Sequence, residues 1–89
     1  MIDNLNSINE SVRMQLNNLV RLKEETESLY TDNKYEYLLK EILNDYFLFA
    51  IGDLMAISGL LYQASYCENK SDIKMLVDVT KFEQKFNGS

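Results

Sequence analysis

The sequence predicts an all-α fold: a three-helix antiparallel bundle with a long central second helix, over about residues 4–29, 34–66 and 72–86, with dimerisation expected to complete its core. Three observations lead there. The 89 residues suit a single helical domain, 1–89, because one hydrophobic core closes with roughly 50–150 residues. No proline is present, so long helices meet no obligatory break. Apolar residues recur at heptad and helical spacing along most of the chain.

In the first helix, positions 5, 8, 12, 15, 19, 22, 26 and 29 read Leu, Ile, Val, Gln, Leu, Leu, Thr, Leu, a coiled-coil-like seam. Leu16 and Val20 widen it into the broader stripe of a bundle helix, which predicts more than one packing neighbour. Its start is expected at an Asp3 cap or at a capping box from Ser7 to Glu10.

Thr31, Asp32 and Asn33 then break the pattern. Asn33 can cap a second helix, and Glu36 is spaced for an i,i+4 pair with Lys40. From Tyr35 to Tyr66 only Gly52 and Gly59 weaken the helix, each by about 1 kcal/mol relative to alanine. Asn69 or Ser71 can cap the third helix, with Asp72 suited to its first turn. There Met75, Val79, Phe82 and Phe86 form a stripe with Ile73, Leu76 and Val77 beside it, and Lys81 and Lys85 precede an end at Asn87 and Gly88.

Size adds a constraint. A compact globule of this length spans about 30 Å, whereas a straight helix over 35–66 extends about 48 Å. Either the second helix bends at Gly52 or Gly59, or the protomer is elongated and another chain covers it. The segment from Tyr46 to Leu61 is apolar nearly all round, which favours a homodimer or higher oligomer.

Composition narrows the function. Nine Lys and Arg against fourteen Asp and Glu give a net charge of -5, which argues against phosphate-backbone binding, so no nucleic-acid partner is expected. With no histidine and a single cysteine, Cys67, the inventory excludes a soft-ligand zinc site, a disulfide framework and a His-based triad. No glycine-rich phosphate loop or other catalytic signature occurs, so no enzyme activity, cofactor or metal is expected. The first six residues lack a basic region followed by an apolar core, which predicts a cytoplasmic protein without a secretory signal. The 46–64 run approaches a membrane span in length, but Asp53 at its middle argues for a core helix and against a membrane.

Two candidate surfaces remain. Glu24, Glu25, Glu27, Asp32 and Glu36 surround the first turn together with Tyr30, Tyr35 and Tyr37, an acidic, tyrosine-rich corner suited to a basic protein surface. On the second helix Asp45, Gly52, Ala56, Gly59 and Gln63 fall on one strip where another backbone can approach. Phe47, Phe49, Gly52, Ala56, Gly59 and Leu60 are accordingly the expected oligomer interface. Asp53, if buried, needs Arg13, Arg21 or Lys81 as a partner. The expectation is a non-catalytic adaptor, chaperone or inhibitor that acts as a homo-oligomer on a basic-surfaced protein. The alternative is a nucleotide or other anion held at an oligomer interface, with Arg13, Arg21 or Lys34 on the phosphate.

Overall fold

The structure, a computed structural model, describes residues 2–87, and the side chains of residues 5–86. It consists of three helices and, among the described residues, no strand: α1 (Ile2–Glu27), α2 (Lys34–Ser65) and α3 (Lys70–Asn87).

The helix ends follow from local hydrogen bonding. α1 begins upstream of Ser7, so Ser7 and Glu10 are interior helical residues, which corrects the expected capping box; the side chain of Asp3 lies outside the described residues. α1 stops at Glu27, earlier than expected. There Thr26 Oγ1 donates a further bond to the Leu22 carbonyl at 2.8 Å, and Ser28 Oγ donates at 2.8 Å to the carbonyl of Glu25, one of the last four of the helix. Asn33 caps α2 as its spacing implies: Oδ1 accepts from the Tyr35 and Glu36 backbone amides at 2.8 and 3.2 Å. The expected Glu36–Lys40 pair does not form. Thr31 Oγ1 donates to Glu36 at 2.7 Å, and Lys40 Nζ reaches back 3.0 Å to the Leu29 carbonyl, so both side chains tie the turn to the helix. α3 starts at Lys70, two residues earlier than expected, because Asn69 is the cap. Its Oδ1 accepts from the Asp72 amide at 3.0 Å, while Asp72 accepts from the Glu68 amide at 3.0 Å, a reciprocal capping arrangement.

α1 and α2 pack antiparallel along nearly their whole lengths. On α1 the half-buried positions are 5, 9, 12, 16, 19, 23 and 26; on α2 they are mainly 40, 44, 47, 51, 54, 58, 61 and 65. Both sets advance by alternating steps of three and four, the repeat of a left-handed helix pair. Ser58 Oγ donates to Asn9 Oδ1 at 3.0 Å across this seam. Only half of the expected α1 seam therefore meets α2. Leu5, Val12, Leu19 and Thr26 face it, whereas Ile8, Gln15, Leu22 and Leu29 are exposed and Asn9, Leu16 and Lys23 take their place.

Among the described residues α3 packs on the C-terminal end of α2, and Leu5 of α1 borders the junction. It turns Ile73, Leu76 and Thr80 inward, while the stripe of Met75, Val79, Phe82 and Phe86 is exposed. The three helices form an open bundle, 57 × 31 × 11 Å, with a radius of gyration of 17.5 Å. A compact chain of this length would have about 12 Å. α2 runs unbroken through Gly52 and Gly59, and elongation of the protomer resolves the size conflict. Cys67, at the α2–α3 turn and 9% exposed, is the one buried residue among those described.

Candidate interaction surfaces

The turn between α1 and α2 gathers the acidic corner. Glu24, Glu25, Glu27, Asp32, Glu36, Tyr35 and Tyr37 are all exposed at this end of the hairpin, and Tyr30 is 90% exposed. Lys23 pairs with Glu27 and Thr31 holds Glu36, whereas Glu24, Glu25 and Asp32 make no ion pair among the described residues. The corner thus presents unpaired carboxylates beside large aromatic area, and solvent surrounds both.

On α2 the strip of Asp45, Gly52, Ala56, Gly59 and Gln63 is exposed along its whole length. A Cβ added at Gly52 or Gly59 would meet no atom within 4 Å, so within one chain no backbone crosses there. Phe49 is 67% exposed, whereas Phe47 is half-buried in the α1–α2 seam. Leu60 borders two grooves against α3. One, about 450 Å³, is lined in part by Ala56, Gly59, Gln63 and Glu83; the other, about 400 Å³, is apolar and includes Leu5, Leu61, Ala64, Ile73 and Leu76.

The flanks of the α1–α2 seam differ in a way that residue spacing along one helix does not show. On one side α1 places Ile8, Gln15 and Leu22 at seven-residue intervals, and α2 places Leu43, Ala50, Ile57 and Ala64. Positions displaced alike from the seam share a side in an antiparallel pair, because reversing a helix reverses its rotation and its facing direction together. A depression of about 300 Å³ marks this side, between Ile8, Ser11, Val12 and Gln15 of α1 and Leu54 of α2. The other side carries Asn6, Arg13, Val20 and Glu27 on α1, and Glu41, Leu48, Met55 and Tyr62 on α2. Over these positions the first flank carries no charge, Glu36 standing one repeat before Leu43 at the turn, whereas the second carries charge on both helices. The sequence reading missed Leu43 and Ile57 as surface candidates; comparing residues on either side of a heptad seam is the signal that finds them.

Asp53 is exposed, which corrects the premise that it needs a buried partner, and among the described residues it makes no hydrogen bond or ion pair. Arg13 and Arg21 lie two turns apart on α1, and Lys34 starts α2. Cys67 Sγ lies 3.8 Å from the Gln63 carbonyl and is a free thiol. Tyr62 and Tyr66 are joined edge to face, ring centres 5.0 Å apart and hydroxyls at 2.9 Å. The Tyr66 phenol is raised above its ordinary value, first by this hydrogen bond and then by the charge Tyr62 would carry. α2 is long and apolar enough to cross a membrane by length and composition.

Set against known protein families, curated proteins and solved structures, the chain matched none.

Proposed function

We propose that this chain is a non-catalytic helical protein-binding module, an adaptor, chaperone or inhibitor, that works as a homo-oligomer in the cytoplasm. The observation that carries this reading is a layer 11 Å thin in which Cys67 alone is buried among the described residues. Such a chain leaves most of its large apolar side chains in water, and folding against protein removes them from it.

Its partner-facing end is the acidic corner, where Glu24, Glu25, Glu27, Asp32 and Glu36 draw in a basic surface and Tyr30, Tyr35 and Tyr37 supply contact area. Capture from native lysate at low and high salt identifies the partner. Titration of that partner with the Glu24→Gln/Glu25→Gln/Glu27→Gln variant then weakens affinity roughly tenfold and flattens its salt dependence. Unchanged affinity and salt response would rule out the corner as the partner site.

A further inference from the structure

We infer that the uncharged flank of the α1–α2 hairpin, carried by Ile8 and Leu22 of α1 and Leu43, Ile57 and Ala50 of α2, is the seat of a second copy of this chain. The inference rests on the protein-binding reading above and assigns the face through which copies meet.

Area decides what the chain requires. It exposes 7450 Å², whereas a compact monomer of 10.4 kDa exposes about 5,400 Å². The excess is about 2,000 Å² per chain, above the roughly 800 Å² per partner of a standard interface and within the range of obligate homodimers. Charge decides which face. The chain carries -5, so two copies repel unless they meet where carboxylates are absent. An isologous interface brings a patch against itself, and a patch without charge meets no like charge there. From Ile8 to Leu22 and from Leu43 to Ala64 the uncharged flank meets that condition, with Glu36 one repeat beyond, whereas the opposite flank would bring Glu41, and Glu27 in its pair with Lys23, toward a second set of carboxylates.

The sequence of α1 is consistent with this pairing. Its heptad seam is apolar at 8 and 22 as well as at 5, 12 and 19, yet α2 covers only the second set. Two hairpins stacked on the uncharged flank give each α1 a second neighbour and form a four-helix bundle. Ala50 is small enough for the facing helix to approach closely.

Sedimentation of the full chain tests this. The expected result is a dimer of twice 10.4 kDa whose dissociation constant rises roughly 100-fold or more in Leu22→Glu or Leu43→Glu, since each change acts twice in an isologous dimer. Leu48→Glu, on the opposite flank, leaves it unchanged. A second measurement uses folded protein with no charge added: in a Cys67→Ser background, alkylation of Gln15→Cys slows as protein concentration rises, and that of Arg13→Cys does not. A dimer broken by Leu48→Glu and not by Leu22→Glu overturns this face while leaving the protein-binding reading intact. A helical monomer at every concentration, or a chain that stays helical only in detergent, overturns both.

Discussion

Asn9 and Ser58, separated by 49 positions, are joined by a 3.0 Å hydrogen bond toward the open end of the apolar α1–α2 seam. A part-buried polar pair fixes which turn of α1 lies beside which turn of α2, because sliding one helix along the other strands both groups without partners. Ser58→Ala alone leaves the Asn9 amide short of a partner and destabilises the chain by about 1 kcal/mol. Asn9→Leu with Ser58→Ala together cost less than the sum of the single changes. A double-mutant cycle in urea measures this coupling.

Asn44, in the same seam, has a buried side-chain oxygen without a hydrogen-bond partner. Asn44→Leu removes an unsatisfied acceptor and adds apolar contact, so it raises stability by about 1 kcal/mol. Urea midpoints at constant slope report the gain.

The two caps make contrasting predictions. Asn33→Ala removes the acceptor for the Tyr35 and Glu36 amides and costs about 1 kcal/mol, and amide exchange at these two positions speeds up. Asn69→Ala costs a similar amount, whereas Ser71→Ala stays within about 0.5 kcal/mol, because Asn69 caps α3 and Ser71 lies inside it.

Tyr66 titrates above its unfolded value, so folding favours its neutral form. That contribution is complete below a pH of about 10 and is lost as pH rises through the folded value. Tyr62→Phe removes both the hydrogen bond and the neighbouring charge, and the Tyr66 transition then moves down to the ordinary range. Ultraviolet absorbance of tyrosinate during alkaline titration follows it.

Gly52→Ala and Gly59→Ala each add a methyl group into open space. Both raise helix stability, by about 0.5–1 kcal/mol apiece, with no loss of dimer. A second helix crossing this strip would give the opposite result, weaker dimers in both variants, which makes the pair a direct comparison between the glycine strip and the uncharged flank.

The helices themselves were legible in the chain. Absence of proline, the heptad apolar pattern, and the Asn33 and Asn69 caps express short-range preferences that act within one or two turns, so three helices and two turns follow from residue order. The acidic corner was legible for the same reason: Glu24 to Tyr37 are neighbours in sequence and stay neighbours around a tight turn. The expected Ser7–Glu10 cap failed because a capping box and an interior turn share the same residues, and only the helix extending upstream distinguishes them. The Glu36–Lys40 pair failed because Thr31 and the Leu29 carbonyl, both brought near by the turn, compete for the same side chains.

What residue order determined, then, is where each helix runs and which of its residues are apolar. Which apolar residues are covered was decided by tertiary packing. Leu5, Val12 and Leu19 of α1 belong to two possible seams, one completed by Ile8 and Leu22 and the other by Asn9 and Leu16, and a helix seated on one leaves the rest of the other aside. The packing that joins Asn9 to Ser58 assigned Leu5, Val12 and Leu19 to α2 and left Ile8 and Leu22 on the same side as Leu43 and Ile57. A helix has more apolar circumference than one neighbour can bury, so the uncovered remainder is set by the direction from which that neighbour arrives.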